Sequence, residues 1–337
     1  MTDIIDLLTN NQFATIREAR PNAKANAQRS FDVLFDDPNA LPERYAVAEH
    51  VARLHDTAVD FYAELAEEDP ATDPARKDAA IKFADLLVLR PADATAADVG
   101  ALLELFDENE IVTLAQLISF LSFQLRVVHG IQTIGGLDVA STGGRGPIIT
   151  TPHEFSTAQL GWKPWVKDLK KSELTAEHHE ALIKPERANM PYFRLLVRNP
   201  QALKARTLTD LDIFYNIQGG LSRAERELAA TITSRLNGCP YCASVHQQRA
   251  KEEGADSEIL DRLIFDGADI DLGTARWNAL RDATRALTRT PMEYDQVVVG
   301  KLHSVGFDDA ELLDHLYATA FFNWANRLML SLGHATY

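Results

Sequence analysis

Apolar residues recur at spacings of three and four along most of the chain, the repeat that gives a helix one apolar face. Residues 41–68, LPERYAVAEHVARLHDTAVDFYAELAEE, and residues 309–332, DAELLDHLYATAFFNWANRLMLSL, carry this stripe most clearly. Few segments alternate apolar and polar residues as a half-buried strand does, so the pattern predicts an all-α fold. The greasiest run, residues 316–332, contains Asn323, Asn326 and Arg327. That reads as a buried helix and not as a membrane span.

Gly and Pro gather in one place, residues 130–152, GIQTIGGLDVASTGGRGPIITTP. This predicts a boundary between two domains, 1–150 and 151–337. The GGRGP within it lacks the Lys-Ser/Thr of a phosphate loop, which argues against nucleotide binding. The halves look related. Pro91, Val99, Gly100 and Leu102 match Pro291, Val299, Gly300 and Leu302. One residue of slippage later, Phe106, Asp107, Glu110, Phe120 and Arg126 match Phe307, Asp308, Glu311, Phe321 and Arg327. A register held over several helical turns points to a duplicated helical unit.

The 337 residues carry a net charge of −15, with 46% hydrophobic and 25% charged residues. A chain so acidic is a poor ligand for nucleic acid or anionic membrane, whose binding rests on Lys and Arg. The start, MTDIIDLLTNNQF, has neither a positive n-region nor an unbroken apolar stretch. The expected location is therefore the cytoplasm. There a lone vicinal cysteine pair is redox-active or metal-ligating more often than a structural disulfide.

Both cysteines lie in NGCPYC, residues 237–242, with His246 four residues on. Ser222 and Glu225 form a capping box that opens a helix with Leu228, Ile232 and Leu236 on its apolar stripe. Gly238 ends that helix, Cys239 can cap the next, and Pro240 suits its first turn. The free N–H groups and the dipole there favour thiolate at Cys239 and Cys242. At ~100° per residue, Cys239, Cys242 and His246 share one face of the second helix. If the two helices fold back at Gly238, Glu227 meets His246 and fixes its tautomer. Glu227, His246 and the two thiols then form a dithiol site with its own proton relay.

Other readings exist. Cys239, Cys242, His246 and Glu227 could ligate zinc, although structural zinc wants a second Cys or His pair and none is nearby. CPYC also occurs in glutaredoxins, which need a preceding strand and a βαβ setting; here a capped helix precedes the motif.

Glu227, eleven residues, Cys239-Pro-Tyr-Cys242, three residues, His246 resembles the signature of the carboxymuconolactone decarboxylase and alkylhydroperoxidase D superfamily. Residues 191–203 and 306–328 resemble the segments that flank the motif in that family. The resemblance implies an AhpD-like all-α bundle, here as two tandem domains of which the first is a degenerate copy without cysteine. It implies a thiol-dependent alkyl hydroperoxide reductase. Cys242 attacks hydrogen peroxide or an organic hydroperoxide, Cys239 closes the disulfide, and Glu227 with His246 relays protons. No bound cofactor or metal is implied; an external dithiol reductant, lipoyl-type in the family, is. A homo-oligomer is expected, a trimer with a dimer as alternative. The best-known hydroperoxidases carry His where this chain has Tyr241, which makes Tyr241 a candidate relay. The decarboxylase branch lacks the cysteine pair. The alternatives are a disulfide oxidoreductase without peroxidase activity and a redox-sensing or structural protein.

Overall fold

The computed structural model describes residues 3–68, 73–139 and 154–337. The expected domain boundary at 150/151 and the GGRGP segment lie outside the described residues. The first half comprises α1 (Ile4–Leu8), α2 (Pro21–Phe31, continued by a π-helical turn Asp32–Asp36), α3 (Arg44–His55), α4 (Val59–Glu68), α5 (Pro74–Leu89), α6 (Ala96–Leu102) and α7 (Glu108–Ile134). The second comprises α8 (Ala176–Leu182), α9 (Pro191–Leu196), α10 (Pro200–Tyr215), α11 (Arg223–Leu236), α12 (Pro240–Glu252), α13 (Ser257–Asp266), α14 (Ala275–Thr288), α15 (Gln296–Ser304) and α16 (Asp309–Ser331). The fold is all-α, with a single two-stranded ribbon among the described residues.

α7 and α16 are apolar nearly all round, and helices of that kind must be covered on every side. They pack on each other at the centre. Phe120 meets Trp324 edge-on at 5.3 Å between ring centroids, and Phe123 stacks on Tyr317 at 6.3 Å. Gly130 lets Leu316 close in where any Cβ would overlap it. α7 is long and apolar enough to cross a membrane, but its most apolar stretch is wholly buried inside the protein. One hydrophobic core runs through both halves.

The matching residues of the two halves occupy matching settings. Asp107 with Glu110, and Asp308 with Glu311, form the capping boxes that open α7 and α16. Arg76 of α5 bridges Glu43 and Glu110 at 2.7 and 2.8 Å, above the Phe106 ring. Arg276 of α14 bridges Glu225 and Glu311 at 2.6 Å each, above the Phe307 ring. Arg126 of α7 reaches the carbonyls of Leu287 and Thr288 at the end of α14, both at 2.9 Å. Arg327 of α16 reaches the Val88 carbonyl at the end of α5, at 3.0 Å. Each central helix thus satisfies orphan carbonyls that end a helix of the opposite half, where a positive charge also suits the dipole.

Two local expectations are corrected. Residues 41–68 form two helices: the chain turns at Asp56 and Ala58, both in left-handed conformation with φ of 51° and 55°. The apolar spacing runs through that turn because α3 and α4 face the same core. The ribbon, β1 (Gly161–Pro164) antiparallel to β2 (Gly333–Thr336), was not expected. Four residues are too few to show alternation. Gly333 is required there, since a Cβ would overlap the Trp162 ring.

Candidate active site

The site is built on the α11–α12 hairpin. The Ser222 hydroxyl accepts the Glu225 N–H at 3.3 Å and starts α11. Asn237 ends it, and Gly238, at φ 70°, turns the chain in the left-handed region that glycine tolerates. Cys239 is the N-cap of α12 and Pro240 its first residue. The Cys239 side chain makes no capping bond; it turns to Cys242.

The hairpin brings Glu227, Cys239, Cys242 and His246 together, all buried. Glu227 Oε2 accepts a hydrogen bond from His246 Nδ1. Its other oxygen accepts from Arg223 Nε at 2.7 Å, one turn earlier on α11. The His246 ring meets Phe322 edge-on at 4.2 Å between centroids. α16 adds Asn326, whose side chain favours the thiolate form of both cysteines. Asn326 is itself fixed: its Nδ2 donates to Ser234 Oγ at 3.0 Å, and its Oδ1 accepts from Asn237 Nδ2 at 3.1 Å.

The two thiols are not equivalent. Cys239 is 0% exposed and Cys242 5%. Burial pushes the Cys239 thiol well up, and its hydrogen bond to Cys242 adds to the effect. That same bond is the largest influence holding Cys242 below the ordinary thiol range; burial opposes it, while Asn326, Arg206 and Arg249 assist. The pair titrates as a unit with the thiolate on Cys242 and the proton on Cys239. The expectation that the helix N-terminus favours thiolate at both positions is therefore corrected for Cys239, whose complete burial outweighs the dipole.

Burial resists ionisation of Glu227, but His246 and Arg223 outweigh it and hold the carboxyl below its usual range. Burial pushes His246 down, and this outweighs the opposing pull of Glu227. The ring is thus neutral at pH 7. Its Nδ1–H faces the carboxylate, which leaves Nε2 as the basic nitrogen. It lies one helical turn beyond Cys242.

A cavity of about 290 Å³ opens over the thiols. Cys242 and His246 line it, whereas Cys239 lies beneath. Met190, Tyr192, Phe321, Phe322 and Met329 give it apolar walls, and Lys184, Arg187, Arg206 and Arg249 bring positive charge. Tyr241 also lines it, its hydroxyl pushed up by burial and by the neighbouring Cys242 charge. No hydrogen bond among the described residues joins that hydroxyl to Glu227, His246 or either thiol. No three His, Cys, Asp or Glu side chains among the described residues converge as metal ligands.

Sequence reasoning missed Arg206, Arg223, Arg249 and Asn326. Arg223 had a signal, four residues before Glu227 on one helix face. Asn326 had a weaker one, a polar residue in an apolar run. Arg206 had none, because only the packing of α10 brings it to the site.

Residues 200–286 match the family model for the carboxymuconolactone decarboxylase family. The matched span runs from the start of α10 into α14 and contains Glu227, both cysteines and His246. No curated protein sequence matches the chain.

Proposed function

Starting from residues 200–286 as a carboxymuconolactone decarboxylase family domain, a family that includes decarboxylases and alkylhydroperoxidases, we propose that the chain is an enzyme of the second kind, a thiol-dependent hydroperoxide reductase. One observation carries the reading: of two adjacent thiols, the one that favours thiolate faces a cavity, and the one that keeps its proton is sealed beneath it. A nucleophile and a resolving thiol need that division of roles.

Cys242 thiolate attacks the distal oxygen of R–O–OH. The O–O bond breaks, Cys242 becomes a sulfenic acid, and the alkoxide takes a proton through His246 to leave as alcohol. Cys239 then attacks the sulfenic sulfur, water leaves, and the Cys239–Cys242 disulfide forms. An external dithiol, lipoyl-type by family analogy, restores both thiols and is itself oxidised to a disulfide. Its entry is at Cys242, the only accessible sulfur. Glu227, kept ionised with the help of Arg223, orients His246 and balances its charge when it holds the proton. Tyr241 belongs to the cavity wall in this scheme. Recycling by a dithiol requires a reducing compartment, which the cytoplasm supplies. A recessed thiol favours a small oxidant over a protein disulfide.

The matched Arg–Glu bridges and reciprocal capping support a second part of the proposal, that the first half is a degenerate copy of the second. An aromatic cluster of Phe31, Phe35, Tyr45 and Tyr62 fills the space beside α3 and α4. The first half then serves as a built-in partner, and such chains assemble further as homo-oligomers.

The test is intact mass and free-thiol count of the reduced protein within seconds of one equivalent of organic hydroperoxide. Both thiols and two hydrogens should be lost. Glu227→Gln and His246→Ala should slow the loss by about 10²- to 10⁴-fold, the usual worth of a positioned acid–base group. Thiols that survive peroxide would refute the assignment.

A further inference from the structure

The cavity over Cys242 holds positive charge that the protein leaves unanswered. Arg206, on α10, is only 7% exposed. Among the described residues its guanidinium has no hydrogen-bond acceptor and no ion-pair partner, and its Nε is fully buried without either. Its compensation is the Cys242 thiolate nearby and two aromatic rings, Phe321 and Trp324, with centroids at 4.9 and 5.8 Å. Arg249, on α12, lines the same cavity and is likewise without an ion pair among the described residues. Glu186 and Asp210 also line the cavity, but neither forms an ion pair with Arg206 or Arg249 among the described residues.

This is unusual for a chain of net charge −15, in which carboxylates outnumber guanidinium and ammonium groups. Elsewhere each buried arginine has at least one acceptor: Arg17 has Asp3 and Asp6, Arg20 and Arg226 share Asp314, and Arg126 and Arg327 reach backbone carbonyls, although Nε of Arg226 and of Arg327 is unpaired as well. A guanidinium removed from water and left unpaired is costly, and the cost falls when an anion enters beside it. The planar fork of one arginine fits a carboxylate through two parallel hydrogen bonds.

We propose that the cavity takes a carboxylate-bearing substrate, with its carboxylate on Arg206, Arg249 at the rim, and its apolar body against Phe322 and Met329. Under the hydroperoxidase reading, on which the substrate class rests, this is an organic hydroperoxide that is also a carboxylic acid. Arg206 is then a specificity-determining residue. Its nearness to Cys242, whose thiolate it favours, places the acid group and the reacting oxygen in the same small cavity.

The closing experiment does not depend on peroxide chemistry. The full-length reduced protein is alkylated with iodoacetate and, separately, with iodoacetamide, and adduct formation at Cys242 is timed by mass. The two reagents differ in the carboxylate. The iodoacetate-to-iodoacetamide rate ratio should exceed that of a small free thiol by about tenfold or more, the scale of a charged hydrogen bond. Arg206→Gln should return the ratio to the free-thiol value, Arg206→Lys should restore part of it, and Arg249→Gln, at a more exposed position, should lower it in part. A wild-type ratio equal to that of the free thiol overturns the proposal without any variant. So does an Arg206→Gln protein that reacts more slowly with both reagents in equal proportion, since Arg206 would then serve the thiolate alone. With hydroperoxides, the ratio of kcat/KM for a carboxylic hydroperoxide to that for its methyl ester should fall about tenfold in Arg206→Gln, whatever the change common to both substrates. If no peroxide oxidises the thiols, the hydroperoxidase reading fails, and the alkylation ratio still decides the anion site.

Discussion

Cys239→Ala tests the division of roles between the thiols most directly. The substitution removes the hydrogen bond that does most to favour thiolate at Cys242, while Asn326, Arg206, Arg249 and the start of α12 stay in place. Little volume is lost. A hydrogen bond to a charged group is worth ~1.5–3 kcal/mol, so its loss lowers the thiolate fraction near neutral pH by about 10- to 150-fold. The more basic thiolate that remains is a better nucleophile, and a Brønsted coefficient of ~0.4–0.5 recovers nearly half of that loss on a logarithmic scale. The net expectation is a fall of roughly 3- to 15-fold in the alkylation rate of Cys242 by iodoacetamide at pH 7. Cys239→Ser, whose hydroxyl can donate in place of the thiol, should lose less. In the wild type the first adduct should sit on Cys242, because Cys239 has no exposed surface. A Cys239→Ala protein alkylated as fast as wild type, or a first adduct on Cys239, would refute the electrostatic reasoning whatever the fate of the peroxidase proposal.

Two further outcomes concern the scaffold. His315 is fully buried, 3.2 Å from the Thr284 hydroxyl, and burial pushes its pKa from 6.5 down to about 3. A depressed folded-state pKa means that protons bind the unfolded chain more tightly. The neutral ring's contribution is therefore full above pH 6.5 and is lost as pH falls below it, at about 1.4 kcal/mol per pH unit. Melting temperatures from pH 7.5 to 5 should fall less steeply in His315→Gln, and parallel curves would count against a neutral buried ring. Gly130→Ala should destabilise by about 1–3 kcal/mol as the new methyl group meets Leu316. Helix propensity alone would favour alanine by about 1 kcal/mol, so a denaturant midpoint that rises would show that α7 and α16 are less closely packed than described.

The helices were legible in the sequence because their causes are local. Apolar spacing over residues 309–332, the Ser222–Glu225 box, Gly238 at a turn and Pro240 after it each act within one or two turns. So does the spacing from Glu227 to His246, once Gly238 is allowed to reverse the chain. The matches between the halves were legible too, since Arg126 and Arg327 repeat in register. What those arginines do was not, because each caps a helix some 160 or 240 residues away in sequence. The turn at Asp56 and Ala58 was hidden because the hydrophobic pattern reports the buried face and not the direction of the chain. Above all, the sequence could name two cysteines at a helix start but not say which one ionises. Complete burial of one sulfur and the charge of Arg206 from α10 beside the other decide that, and both depend on how distant helices pack around the hairpin.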